Sequence, residues 1–125
     1  MLRKKVLIVD DDPNLIKSLG FVLRKEGYDF DTAMDGEEAL AKVKESEPGV
    51  ILLDIMMPQK NGYEVCEEVK STPDWSDIHV VILSAKSQES DVKRGLAAGA
   101  DEFITKPFSP QTIVAKVKEL LEKSD

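Results

Sequence analysis

Three uninterrupted apolar runs, Val6-Leu7-Ile8-Val9, Val50-Ile51-Leu52-Leu53 and Val80-Val81-Ile82-Leu83, constrain this chain more than any other feature. Successive side chains of a strand point to opposite faces, so a strand with one face in water alternates apolar and polar residues. These runs do not alternate. They suit strands buried on both faces, as in a parallel sheet covered by helices on either side. Weaker strand signals lie around Tyr28 to Ala33 and from Glu102 to Thr105. The first of these alternates and reads as an edge strand.

Helical patterns fill the intervals. Leu15, Ile16, Leu19, Val22 and Leu23 form one apolar stripe, with Asp12 as its cap and Pro13 at the first helical position. Ala39, Leu40 and Val43 form a second stripe, and Tyr63, Cys66 and Val69 a third, preceded by Asn61-Gly62. Val92, Leu96 and the small residues up to Gly99 mark a fourth helix. The fifth places Ile113, Val114, Val117, Leu120 and Leu121 on one face. Lys70 to Asp77, with Pro73 and Trp75, reads as a loop that either covers the sheet edge or faces a partner through Trp75.

Five strand–helix units predict an α/β fold, a single doubly wound (βα)5 domain over residues 1–125. Right-handed crossovers restrict the topology, and the flavodoxin-like five-stranded parallel sheet in order 2-1-3-4-5 is the expected arrangement.

Composition narrows the function. A net charge of −7 argues against direct nucleic acid binding, which depends on Lys and Arg neutralising phosphates. The single Cys66 cannot form an internal disulfide, which suits a reducing compartment. The apolar stretch after Arg3-Lys4-Lys5 ends at Val9, too short for a signal sequence or a membrane span. A cytoplasmic protein with no membrane contact is expected.

In an open α/β sheet, ligands bind beyond the carboxyl ends of the strands, where the strand order reverses. The first strand ends in Asp10-Asp11-Asp12, the third in Asp54 and the fourth in Ser84, while the fifth leads into Lys106-Pro107. Converging carboxylates repel one another, and a hard divalent cation such as Mg²⁺ relieves that repulsion through oxygen ligands. Lys106 can pair with a phosphoryl oxygen and Ser84 can donate a hydroxyl to another. A carboxylate in that setting can act as a nucleophile and form an aspartyl phosphate.

Four motifs, in order and over essentially the whole chain, resemble the CheY-like response regulator receiver family. They are Val9-Asp10-Asp11, Asp54-Ile55-Met56-Met57-Pro58 followed by Gly62, Ser84-Ala85, and Lys106-Pro107-Phe108. Gly99-Ala100-Asp101 before the last strand also matches the family pattern. The resemblance implies that Asp54 is the phosphoacceptor, fed by the phosphohistidine of a sensor histidine kinase or a phosphotransfer protein. It implies Mg²⁺ bound directly by Asp11 and Asp54, through a coordinated water by Asp10, and by the main-chain carbonyl of Met56. Ser84 would meet the phosphoryl group and Lys106 would pair with it, across a cis Lys106-Pro107 bond. Phe103 would be the aromatic switch residue coupled to Ser84.

The resemblance also bears on lifetime and output. Met56 and Lys86 stand where family members vary and phosphoryl loss is tuned. Neither readily orients an attacking water, so slow self-dephosphorylation is expected. Asp101, Glu102, Lys116 and Lys118 partly resemble the charged dimer face of receivers attached to winged-helix transcription factors, whereas Val92 and Thr112 depart from it. A phosphorylation-dependent homodimer, a downstream output partner or an attached effector domain are the implied readouts.

Other residues have simpler explanations. Asp12 reads as a helix cap, Cys66 as core, and His79 as a surface or loop residue away from the carboxyl end of the fourth strand. Phe103 reads as core on composition alone. Two rival functions share parts of this pattern. A flavodoxin-like cofactor binder would need hydroxyls and amides where Asp10-Asp11-Asp12 stands. A Mg²⁺-dependent phosphohydrolase with an aspartyl nucleophile would need a cap, and no insertion is large enough for one.

Overall fold

A computed structural model describes residues 5–55, 61–85 and 88–123. The strands are β1 (Val6–Val9), β2 (Phe30–Ala33), β3 (Val50–Asp54), β4 (His79–Ser84) and β5 (Glu102–Thr105). The helices are α1 (Pro13–Lys25), α2 (Gly36–Ser46), α3 (Gly62–Ser71), α4 (Glu89–Ala97) and α5 (Pro110–Lys123). All strand pairs are parallel and the order is β2-β1-β3-β4-β5, the expected doubly wound topology.

The uninterrupted apolar runs are explained by two separate core layers. Leu7, Val9, Ile51, Leu53, Val80 and Ile82 pack with α2 and α3. Val6, Ile8, Val50, Leu52, Val81 and Leu83 pack with α1 and α5. Neighbouring positions along each central strand therefore serve opposite layers, and neither face meets water. Trp75, half-buried in a single 3-10 turn (Pro73–Trp75), packs against the first layer.

Local chemistry sets the helix starts. The Asp12 carboxylate accepts the Asn14 N–H at 3.0 Å ahead of Pro13, as expected for a cap. Asp35 accepts from Glu38 N–H, and the Glu38 carboxylate returns to Met34 N–H. Asn61 caps α3 through Glu64 N–H. On the β2 edge, the Ser46 hydroxyl and the Lys5 ammonium both donate to Asp31. The Ser46 bond, more than the Lys5 charge, holds that carboxyl below its ordinary value.

Two strand starts and one exposure differ from what the pattern alone suggests. β2 begins at Phe30 because the Tyr28 N–H donates back to Leu23 O and Gly27 turns the chain with φ +88°. β4 begins one residue before its apolar run, at His79, and ends at Ser84 as expected. Leu96, one of the apolar residues that marked the fourth helix, is 51% exposed. The helix instead presses Gly95 onto the sheet, where a Cβ would lie 3.0 Å from Ile82 and Phe103 side-chain atoms.

Candidate functional site

The carboxyl ends of β1 and β3 lie side by side, since Val9 pairs with Leu53 in the parallel register. Asp10 follows β1 and keeps its N–H bonded to Ala33 O, so the strand geometry carries through to its side chain. It is 1% exposed, with Oδ1 accepting the Asp12 N–H at 2.9 Å and Oδ2 accepting Lys106 Nζ at 3.1 Å. Asp54 is the last residue of β3, buried, with Oδ2 at 3.8 Å from Lys106 Nζ. Asp11 is exposed beside them. Each of Asp10, Asp11 and Asp54 offers a carboxylate oxygen, all within 4.8 Å of one another.

These three carboxylates and one ammonium carry a formal charge of −2, gathered where two of the acids are almost fully withdrawn from water. Such a set of hard oxygen donors fits an octahedral divalent cation that keeps part of its water. Ser84 is fully buried as the last residue of β4, and its carbonyl accepts the Lys106 N–H at 2.7 Å. That bond ties the strand carrying Ser84 to the residue that carries the ammonium. The Lys106-Pro107 peptide is cis, as the resemblance implied. Met56 and Lys86, assigned to the metal site and to phosphoryl lifetime, lie outside the described residues.

Phe103 is half-buried on β5 and packs against the first core layer beneath α4. His79 is the first residue of β4, at the end opposite Ser84, with Nδ1 at 3.9 Å from Asp101 Oδ1. Three of the charges assigned to a dimer face, Asp101, Glu102 and Lys116, make bonds within the chain. Lys70 and the Val80 N–H donate to Asp101, and Lys116 reaches both Glu102 and Glu119. The Glu119 bond first, then Glu102, raises the Lys116 ammonium above its ordinary value.

Two features escaped the sequence reading. Phe21, 70% exposed, stands between two apolar grooves of about 490 and 350 Å³, the first running to Phe30 and the second to α5. Its position next to Gly20 on an otherwise ordinary stripe gave no sign of this. Tyr63, read only as core, also donates its hydroxyl to Asp91 O and carries the Arg94 guanidinium over its ring.

Residues 6–118 match the family model of the response regulator receiver domain. The chain belongs to that family. Among the relatives of this receiver domain, the DNA-binding response regulator MtrA of Mycolicibacterium smegmatis is 41% identical over 99% of this chain and 53% of its own length. The alkaline phosphatase synthesis transcriptional regulatory protein PhoP of Bacillus subtilis is 42% identical over 99% of this chain and 51% of its own length. The chain thus spans about half the length of these relatives. Among solved structures, the receiver domain of a signal transduction histidine kinase from Syntrophus aciditrophicus superposes with a TM-score of 0.89 at 36% identity, covering 96% of this chain and 91% of that one. The BeF3-activated DrrB receiver domain superposes with a TM-score of 0.86 at 36% identity, covering 98% and 99%. The receiver domain is a phosphoacceptor switch of two-component signalling. Neither rival function is favoured by these similarities.

Proposed function

We propose that Asp54 accepts the phosphoryl group, from the phosphohistidine of a sensor histidine kinase or phosphotransfer protein. An Asp54 carboxylate oxygen attacks phosphorus, the P–N bond breaks, and its electron pair leaves with the imidazole. Lys106 pairs with an oxygen of the transferred group, and Ser84 donates to another. Asp10, Asp11 and Asp54, with the Met56 carbonyl, would hold Mg²⁺, which supplies charge neutralisation at the phosphoryl oxygens. The observation that carries this reading is the convergence of three carboxylate oxygens within 4.8 Å, with an ammonium 3.8 Å from the buried Asp54.

The protein is then a stoichiometric acceptor that assists its own phosphorylation and dephosphorylation, not a turnover enzyme. Residues 1–125 act as one receiver domain in the cytoplasm, in keeping with the free Cys66. Among the described residues no helix is long and apolar enough to cross a membrane. Phosphorylation is read by an output partner or attached effector domain, or through a homodimer, with Phe103 and Ser84 as the switch pair. This domain makes no direct contact with nucleic acid, in line with its charge of −7.

Incubation with acetyl phosphate and Mg²⁺, followed by intact mass measurement, tests the assignment. Wild type gains one phosphoryl mass, and Asp54→Ala gains none. Equal gain on both, or none on wild type, rejects Asp54 as acceptor. Following the adduct after donor removal also reads its lifetime, which Met56 and Lys86 lead us to expect is long.

A further inference from the structure

The helix α4 is weakly held for an element so close to the site. Gly95 is its one fully buried residue, and Gln88 at its N-cap makes no side-chain capping bond. Two rings support it. From β5, Phe103 lies against Gly95. From α3, the buried Tyr63 donates its hydroxyl to Asp91 O at 3.2 Å, while the Arg94 guanidinium lies 4.1 Å from its ring centroid. Asp91 and Arg94 are three residues apart, so both contacts fall on one face of α4. Burial, then the nearby Asp91, raises the Tyr63 phenol above its ordinary value, so the hydroxyl remains a donor at neutral pH.

Tyr63 is also joined to the acceptor through its own backbone. Gly62 N–H donates to Ile55 O at 3.3 Å, and a Cβ at Gly62 would lie 2.7 Å from Asp54 O. The first turn of α3 therefore rests directly on the backbone of Asp54. We infer that Tyr63 is a positioning residue of the switch, pinning α4 in the arrangement that accompanies an unmodified Asp54. The pin links the acceptor strand to α4 through α3, on a route separate from Ser84 and Phe103. This inference rests on Asp54 being the acceptor.

Tyr63→Phe keeps the ring and the guanidinium contact but removes the bond to Asp91. Arg94→Ala, at an exposed position, removes the guanidinium and leaves the hydroxyl. Each contact is of a size that shifts a local opening equilibrium about two- to tenfold. Hydrogen exchange of the full chain, without any phosphoryl mimic, should show α4 amides exchanging faster by about that factor in both variants, with β1 and β3 amides unchanged. Beryllofluoride binding with Mg²⁺ should tighten by a similar factor, because less of the pinned population has to be given up. Arg94→Lys, which keeps a cation, should recover part of both effects. Unchanged α4 exchange in both variants, faster exchange shared equally by β1 and β3, or unaltered beryllofluoride affinity would overturn the pin. If wild type binds no beryllofluoride, Asp54 loses its role as acceptor, and the exchange comparison still decides the pin.

Discussion

Asp10 and Cys66 are both buried, but a cation meets the first and apolar side chains surround the second. A backbone N–H and the Lys106 ammonium each bond one oxygen of the Asp10 side chain. Cys66 lies among apolar side chains, donates its thiol to Ala98 O, and burial pushes its pKa from 9.0 up to about 11. A raised folded-state pKa means that the unfolded chain loses this proton first, so the thiol's contribution to stability is complete below about pH 9 and is lost as pH rises towards 11. Wild type should therefore be more stable than Cys66→Ala at pH 8, with the gap in urea midpoint narrowing between pH 9 and pH 11. A gap that stays constant across that window would reject the linkage. At this scale the site acids and Lys106 were legible because each ends a strand, whereas the 3.1 Å choice of Asp10 by Lys106 depends on rotamers that no motif encodes.

Elements succeed here where local signals agree with burial. The cap Asp12 was readable from residue type and makes the bond expected of it, while Asn61, noted only as preceding the third stripe, caps α3. β2 was misjudged at its start because Tyr28 is held by a helix-terminal hydrogen bond, which a strand pattern does not reveal. Leu96 marked the fourth helix but not its buried face, because α4 meets the sheet through a glycine, and a hydrophobicity pattern cannot register contact made by a missing side chain. Gly62 is a stronger case of the same effect. A Cβ there would lie 2.6 Å from Ile55 Cα and 2.7 Å from Asp54 O, both backbone atoms. Alanine is the better helix former by about 1 kcal/mol, but overpacking against backbone costs about 1–3 kcal/mol, and here the atoms cannot swing aside. Gly62→Ala should lose up to about 2 kcal/mol net in urea unfolding and slow acetyl phosphate labelling of Asp54. A variant as stable as wild type and labelled equally fast would show that α3 shifts freely.

For the whole molecule, strand order and the two-layer core followed from three apolar runs, because double-sided burial leaves few alternatives. The surfaces did not follow, since exposure at single positions depends on how each helix is rotated about its axis. Phe21 between its grooves and Leu96 on α4 are both outward-facing apolar residues, an exposure that the apolar pattern does not show. The homodimer proposed through α4, β5 and α5 would cover Leu96 and meet a Lys116 already shared by Glu102 and Glu119. Light scattering with Mg²⁺ and beryllofluoride should give twice the monomer mass for wild type, and a monomer for Leu96→Glu. A wild-type monomer in both states would reject the dimer.

The ion pair between Asp10 and Lys106 joins residues 96 positions apart in the chain. During synthesis the first acids leave the ribosome long before the lysine exists, and Asp54 waits without its cation until β5 has docked on the sheet. A nascent or truncated polypeptide therefore lacks the ammonium that lies beside Asp10 and Asp54. On the proposed assignment of Asp54, competence arrives only with completion of the fold, and a chain cut before β5 should take no label from acetyl phosphate.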